Sequence, residues 1–170
     1  VDRSIACYTS EEALRHGVDR KAQDAWAVAS HQRYFAAEQA GYFAFERPAF
    51  EAKDAKGRAV LVEADESPRA DATLDRLERL QTVYGSETIT PGNAPGLNDG
   101  AAFVLLAEGG WARAQGLPCL AWVVDYGQVA DGPTSGSYTP AIGIGQLLRR
   151  NGVAPEGLDA IEINEAFAAT

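Results

Sequence analysis

The sequence has little of what marks membrane, secreted or metal-binding proteins. Its two cysteines, Cys7 and Cys119, lie too far apart along the chain to indicate a zinc cluster or a disulfide framework. The longest aliphatic run, Ala101–Ala107, is much shorter than the roughly 18 residues that a membrane helix needs. The sequence begins with neither an initiator methionine nor an apolar signal core. We therefore expect a cytoplasmic protein without a membrane span, and both ends read as interior positions of a longer chain.

Basic residues are also scarce. Fifteen lysines and arginines stand against 24 acidic residues, which gives a net charge of -9. Non-specific DNA binding depends on neutralising many phosphates, so this balance argues against a nucleic-acid partner. A phosphorylated small ligand needs only a few local arginines and stays compatible with the composition. At 170 residues and 46% apolar content, the chain could bury the core of one ordinary domain.

Two helices are predicted near the start of the chain. Thr9–Glu12 has the spacing of a capping box and Gly17 is a helix-ending residue, which together predict a helix over residues 10–16. Asp19 can cap a second helix over residues 20–40. The mostly apolar stripe of that helix would consist of Ala22, Trp26, Ala29 and Arg33 or Ala36.

The pattern changes along the rest of the chain. Residues 42–65 predict short strands and turns, and residues 73–80 predict a short helix. Beyond Gln81, three apolar segments predict buried strands, namely residues 101–107, 119–126 and 158–163. Helices ending near Gly116 and spanning 141–150 would separate them. This alternation of strand and helix predicts an α/β fold for the second half.

Few side chains indicate catalysis by spacing alone. His16 and His31 lie in predicted helices without a partner spaced for a metal, so we interpret both as surface or packing residues. Cys7 follows no strand and Cys119 begins one, which favours structural roles for both. The absence of a Gly-x-Ser-x-Gly elbow weakens a hydrolase interpretation. Gly92–Gly100 lacks the patterns of phosphate and dinucleotide loops, so its spacing indicates only a turn.

Asn164 is the most interesting polar residue. It follows the predicted strand over residues 158–163 and precedes a predicted helix. Ligands gather at the carboxyl ends of strands in α/β proteins. The side chain could cap the helix, or its amide could fix a water or a carbonyl oxygen in an active site. The residues alone leave both interpretations open.

Four motifs resemble those of thiolases. The last, Asn164–Ala168, reads Asn-Glu-Ala-Phe-Ala, and Gly92–Ala102 is similar to the family's Gly-Asn-Ala-Ser-Gly-Ile-Asn-Asp-Gly-Ala-Ala. Asp24–His31 resembles the family's Asp-x-Phe/Trp-Ala-x-x-Ser-His/Gln helix, and Arg69–Asp75 resembles its Arg-x-x-Ala/Thr-Thr-Leu-Asp/Glu stretch. The motifs occur in family order with family spacing and cover almost the whole chain.

The resemblance implies an incomplete α/β, thiolase-like fold, with a helix-rich lid and a βαβαβ portion of the two thiolase halves. Residues 1–90 would form the insertion domain that covers coenzyme A. Residues 91–116 would provide the last strand and helix of the N-terminal half, and residues 117–170 the start of the C-terminal half. Because these strands would belong to two different sheets, the chain should be unable to pair its own sheet edges and should expose apolar surface.

The resemblance also implies a chemistry. In thiolases a cysteine attacks an acyl-CoA to form an acyl-enzyme, a second cysteine and a histidine handle the proton, and oxyanion holes stabilise the intermediates. These three groups would lie outside this chain, which alone should be inactive. Asn164 matches the catalytic asparagine that holds an oxyanion-hole water. Positions matching coenzyme A or pantetheine contacts are Arg69, Leu80, Tyr84, Ala94, Pro95, Gly96, Ala166 and Phe167.

Several residues depart from the family pattern. Pro95 replaces a common serine and so removes a hydroxyl and a backbone N–H. Arg76 stands where a serine often contacts coenzyme A, and the family's Leu-Arg-Pro-x-Phe is Leu80–Tyr84 here. Ser4 and Ile5 take the place of a frequent His-Met pair. These departures affect acyl-chain specificity more than the family assignment.

The expected activity is that of an acetyl-CoA C-acetyltransferase, with a coenzyme A thioester as substrate and no metal or redox cofactor. The full-length protein would be a homodimer or homotetramer, by analogy with the family. A non-catalytic acyl-CoA-binding or scaffold protein with the same fold is the alternative, and an unrelated α/β hydrolase has little support.

Overall fold

The computed structural model describes residues 3–132 and 134–170, which group into two compact units. The first unit contains the described residues up to Gly96, the turn around Ser135 and the segment Asn164–Thr170. The second contains Leu97–Asp131 and Tyr138–Ile163. None of the helices in the described ranges is both long and apolar enough to cross a bilayer.

Helix α1 spans Ile5–Arg15 and begins earlier than predicted. Ser4 is the residue that caps it, because its Oγ accepts a hydrogen bond from the backbone N–H of Ala6 at 3.2 Å. The prediction of a start at residue 10 was therefore wrong, and the capping-box pattern lies inside the helix. The helix ends as predicted at Gly17, which adopts a left-handed conformation with φ of 74°.

Helix α2 spans Arg20–Gln39, close to the predicted bounds, and Asp19 caps it by accepting from the N–H of Ala22 at 2.8 Å. The mostly apolar stripe read from the spacing is not the buried face, since Ala22, Trp26, Arg33 and Ala36 are exposed. The buried face instead carries Gln23, Asp24, Ala27 and Val28. Asp24 can face the interior because Arg20 and Asn93 donate to it, and the Gln23 amide nitrogen donates to the Val18 carbonyl and the Thr88 hydroxyl.

A β-hairpin and a short helix complete the first unit. Strands β1 (Phe50–Lys53) and β2 (Ala59–Val62) pair antiparallel, with Phe50 opposite Val62. Helix α3 spans Leu74–Glu78 and is capped by Thr73. The predictions of short strands over 42–65 and a helix over 73–80 are confirmed. Ala27, Val28 and Leu77 form the core between α2 and α3, with Ala72 and Ala168 packed against it.

The second unit contains two α-helices and the short 3-10 helix Pro155–Gly157. Helix α4 spans Gly109–Ala114, and the Glu108 carboxylate accepts from two N–H groups of its first turn. Helix α5 spans Thr139–Asn151 and ends at Gly152 in a left-handed conformation. The Asp125 carboxylate binds Arg150 and Asn151 at the end of α5, and these donors lower the pKa of Asp125 to about 2.

The three strands predicted over residues 101–107, 119–126 and 158–163 do not form. Within residues 3–132 and 134–170, β1 and β2 are the strands that pair. A strand exists only with a hydrogen-bonded neighbour, and these segments have none in the described chain. The predicted apolar exposure is confirmed, since Phe103 is 94% and Leu120 is 99% exposed.

Candidate functional site

The first unit contains a cleft of about 680 Å³ between α2, α3 and the turn Pro91–Gly96. Helix α2 contributes Ser30, His31 and Tyr34 to its lining. Six residues for which the sequence predicted coenzyme A contacts also line the cleft: Arg69, Leu80, Tyr84, Ala94, Pro95 and Gly96. Residues far apart in sequence are therefore brought to one concave surface, as in most ligand sites.

The cleft carries two guanidinium groups, and only one of them is neutralised. Arg76 forms an ion pair with Asp71, which also lines the cleft. Within residues 3–132 and 134–170, no hydrogen bond or ion pair to the Arg69 guanidinium is formed. The cleft thus presents a free positive charge, in contrast to the net charge of -9 of the whole sequence.

His31 fixes the backbone next to this charge. Its Nδ1 accepts a hydrogen bond from the backbone N–H of Arg69 at 3.2 Å. Burial lowers the pKa of His31 below its ordinary value, and the positive charge of Arg69 lowers it further. A neutral ring leaves Nδ1 free to accept, which ties the Arg69 segment to α2. His31, interpreted from the sequence as a surface or packing residue, lines the cleft and contacts the backbone of Arg69.

Tyr84 forms part of the apolar wall in an uncommon backbone conformation. Its φ is 57°, in the left-handed region that bulky residues seldom adopt. The Cys7 thiol donates a hydrogen bond to the Tyr84 carbonyl at 3.0 Å. The backbone N–H of Val83 donates to the Ile89 carbonyl at 2.9 Å, which closes the loop that contains Tyr84. Cys7 is buried in α1, so the structural role predicted for it fits this contact.

A buried polar network fixes the turn Pro91–Gly96 against α2. The Asn93 carboxamide accepts from the N–H of Thr90 at 2.8 Å and donates to Asp24 at 3.0 Å. Asp24 in turn accepts from Arg20 Nε at 2.6 Å. Asn93 is 3% exposed and Asp24 is fully buried. Sequence reasoning missed this network, although the spacing of four residues between Arg20 and Asp24 is that of a helical ion pair.

The segment Asn164–Thr170 lies beside the cleft rather than in its lining. Asn164, Ala166 and Phe167 are therefore not among the lining residues, unlike the other predicted contacts. The segment reaches α2 through Glu165, whose carboxylate accepts from Trp26 Nε1 at 2.8 Å and from Ser30 Oγ at 2.6 Å. Ser30 itself lines the cleft.

The helix predicted after Asn164 does not form among the described residues, which fold there into a bend and a turn. Asn164 therefore caps no helix within the described residues. Its backbone carbonyl accepts from the N–H of Ala166 at 2.9 Å. Within residues 3–132 and 134–170, its carboxamide forms no hydrogen bond.

Gly92 makes the close approach of the turn to α3 possible. A Cβ atom at this position would stand 2.7 Å from Leu80 Cδ1 and 2.9 Å from Leu77 Cγ. We expect Gly92→Ala to lower the free energy of unfolding by about 1–3 kcal/mol, because the buried Leu77 must shift. Denaturation in urea measures the change. Gly100→Ala is the matched control, since its Cβ would meet nothing within 4 Å; equal effects of the two substitutions would contradict the prediction.

The described part of the chain offers no metal site, because no group of three or more His, Cys, Asp or Glu side chains is arranged to hold an ion. What the cleft offers is a free guanidinium, an apolar wall and exposed edges of a glycine-containing turn. These features suit an elongated ligand with an anionic end and an apolar stem.

Solved structures and sequences of known proteins are similar to the chain. The crystal structure of the acetyl-CoA acetyltransferase of Bacillus anthracis matches it with a TM-score of 0.89 and 32% identity, over 98% of this chain and 42% of that one. Human mitochondrial 3-ketoacyl-CoA thiolase matches with a TM-score of 0.86 and 33% identity, over 96% and 42%. The acetyl-CoA acetyltransferase of Pseudomonas aeruginosa is 39% identical over 92% of this chain and 40% of its own length.

A beta-ketoadipyl-CoA thiolase of the same organism is 42% identical, over 89% of this chain and 38% of its own length. The chain thus spans about 40% of the length of these relatives. Residues 2–110 match the family described as thiolase, N-terminal domain, and residues 117–170 match thiolase, C-terminal domain. On this evidence, the chain belongs to the thiolase family.

Proposed function

We propose that the protein containing this chain is a thiolase-type acyltransferase that acts on coenzyme A thioesters. The cleft of the first unit carries the proposal, because it combines the unpaired Arg69 guanidinium with an apolar wall. Acetyl-CoA C-acetyltransferase is the first activity to test, since relatives with that name match most of the chain.

The proposed ligand has an anionic nucleotide end and a long, flexible pantetheine arm. Arg69 would meet a phosphate, because a guanidinium can donate two parallel hydrogen bonds to phosphate oxygens. Leu80 and Tyr84 would flank the apolar parts of the ligand. Ala94, Pro95 and Gly96 would lie along the pantetheine, where Pro95 can give van der Waals contact but no N–H.

Asn164 would act at the thioester end. Its unpaired carboxamide can hold the water of an oxyanion hole, in which a preorganised donor stabilises the negative charge that develops on the thioester oxygen. Ala166 and Phe167, on the same segment, would line the pantetheine tunnel.

The reactive sulfur would come from outside this chain. Cys7 is buried and its thiol is engaged with the Tyr84 carbonyl, and neither Cys7 nor Cys119 is among the residues of the cleft. Residues 1–90 would then serve as the insertion that covers coenzyme A, residues 91–116 would belong to the N-terminal half and residues 117–170 to the C-terminal half. The 170-residue chain alone would show no turnover.

The assay for this proposal is thiolysis of acetoacetyl-CoA by the full-length gene product. We expect loss of the substrate that depends on added coenzyme A, without an added metal or redox cofactor. An intact protein that binds acyl-CoA without turnover would instead be a binding or scaffold protein with the same fold. We also propose that the full-length protein is cytoplasmic and forms a homodimer or homotetramer. Light scattering of the same preparation measures the oligomeric state.

Arg69→Gln should weaken coenzyme A binding in the full-length protein by about 10- to 100-fold, the range for a lost hydrogen bond to a charged group. KM should rise while kcat changes little, because the contact is the same in the ground state and the transition state. Steady-state kinetics with varied coenzyme A measure both constants.

Arg58→Gln is the matched control for Arg69→Gln. Arg58 is exposed in the β1–β2 hairpin, pairs with Asp54 and does not line the cleft. Its replacement should leave both constants unchanged. An unaltered KM in the Arg69 variant would remove Arg69 from the binding site.

A further inference from the structure

Glu165 connects the segment of Asn164 to helix α2 through both of its carboxylate oxygens. Oε1 accepts from Trp26 Nε1 at 2.8 Å, and Oε2 accepts from Ser30 Oγ at 2.6 Å. Trp26 and Ser30 are separated by one helical turn, so their donors project from the same side of α2. Two donors on a rigid helix thus determine both the position and the plane of the carboxylate.

A second anchor lies three residues further along the segment. The backbone N–H of Ala168 donates to the Asn93 carbonyl at 3.0 Å, and Ala168 packs against the core of Ala27, Val28 and Leu77. Asn93 itself is held by the buried network that includes Asp24. The segment is therefore tied to one rigid helix directly at Glu165 and indirectly at Ala168.

Asn164 has no such anchor of its own. Its carboxamide forms no hydrogen bond within residues 3–132 and 134–170, so its direction depends on the backbone that precedes Glu165. Catalytic groups must be held within a fraction of an ångström, and supporting residues usually provide this precision. The side chain that ties the backbone next to Asn164 directly to α2 is Glu165, through its two donors Trp26 and Ser30.

We propose that Glu165 is a positioning residue that aligns Asn164 through its hydrogen bonds to Trp26 and Ser30. The inference rests on the proposed role of Asn164 in an oxyanion hole. Glu165 itself does not touch the reacting atoms in this scheme. Removing its carboxylate leaves Asn164 present but no longer aligned, which lowers the rate of the chemical step without weakening coenzyme A binding.

A double-mutant cycle in the full-length protein tests the proposal. We expect Glu165→Ala to lower kcat for acetoacetyl-CoA thiolysis by about 10- to 100-fold, the cost of a misplaced group, with KM for coenzyme A changed less than about threefold. Glu165→Gln should restore part of the rate, because its amide oxygen can still accept from Trp26. Trp26→Phe and Ser30→Ala, which each remove one donor and leave the glutamate in place, should give smaller losses of kcat.

The decisive comparison is made in the Asn164→Ala background. There we expect Glu165→Ala to change kcat by less than about twofold, because the residue that it aligns is gone. Glu46→Gln serves as a control, since its exposed carboxylate lies outside the cleft.

Equal losses from Glu165→Ala with and without Asn164 would overturn the positioning role and leave the proposed function intact. An unchanged kcat in Ser30→Ala, Trp26→Phe and Glu165→Ala would also overturn it. A wild-type protein without thiolysis, or an Asn164→Ala variant with full activity, would overturn the proposed function and this inference with it.

Discussion

Replacing Asp24 with alanine is expected to lower the free energy of unfolding by about 3–5 kcal/mol, the range for breaking a buried ion pair by removal of one partner. Asp24 is fully buried and accepts from Arg20 Nε at 2.6 Å and from Asn93 Nδ2 at 3.0 Å. Its loss removes the carboxylate that neutralises Arg20 and one of the two acceptors of the Asn93 amide, which keeps only the Thr88 carbonyl. Urea denaturation followed by tryptophan fluorescence measures the change.

Asp75→Ala provides the matched control for Asp24→Ala. Asp75 also forms an ion pair with an arginine four residues away, Arg79, but both side chains are largely exposed. Exposed pairs of this type contribute little, so the control should be nearly as stable as the wild type. Similar losses in the two variants would contradict the role assigned to the buried network.

The Asp24 variant should also bind coenzyme A less well. Asn93 depends on Asp24 for one of its three side-chain contacts, and the turn that follows Asn93 forms one edge of the cleft. A turn freed from α2 would no longer present its exposed edge in a fixed place. A variant that is destabilised but keeps its KM would separate the stabilising role of the network from any role in binding.

Asn164→Ala is expected to lower kcat for thiolysis by about 100- to 1,000-fold in the full-length protein, the usual cost of losing an oxyanion-hole donor. The reason is that the carboxamide would hold the water that stabilises charge developing only in the transition state. KM for coenzyme A should change little, because Asn164 does not line the cleft. Steady-state kinetics with acetoacetyl-CoA measure both constants.

Asn164→Asp distinguishes an electrostatic role from a steric one. The carboxylate has nearly the same shape but no N–H donor, and it would place a negative charge beside the one that develops on the substrate. Its loss of kcat should therefore equal or exceed that of Asn164→Ala. Gln32→Ala, which removes an exposed amide from α2, is the control. High activity in Asn164→Asp would exclude the proposed role of the carboxamide in the oxyanion hole.

Sequence patterns correctly predicted the helix ends that depend only on neighbouring residues. Asp19 caps α2 as its sequence position indicates, because capping depends on the next three residues only. Gly17 ends α1 for the same kind of reason. The start of α1 was missed because the sequence contains a complete capping box at Thr9–Glu12, whereas Ser4 has no glutamate three residues later. In the structure Ser4 is nevertheless the N-cap residue.

The errors concern contacts that join distant parts of the chain. The buried face of α2 carries Gln23 and Asp24, although a search for apolar spacing assigns polar residues to the exposed face. They can be buried because Thr88 accepts from Gln23 and Asn93 donates to Asp24. The three apolar segments of the second unit are strand-like in composition, but pairing requires a neighbour that the described chain does not contain.

The candidate site was predicted by motif rather than by periodicity. Composition and spacing alone gave Gly92–Gly100 as a turn and left Asn164 between two interpretations. The resemblance named six of the residues that line the cleft, but neither approach gave a role to Ser30 or Glu165, because their contact depends on tertiary structure. Tyr84 was named as an apolar contact, whereas its left-handed backbone and its bond to Cys7 became visible only in three dimensions.

The contact between α2 and Glu165 has a consequence for biosynthesis. Ser30 and Glu165 are 135 positions apart in the sequence. At ribosomal rates of roughly 5–20 residues per second, α2 emerges about 7–27 seconds before its partner is made. During that interval the helix has neither its glutamate acceptor nor the Ala168 methyl against its core, and a nascent chain at this stage is a natural client for chaperones.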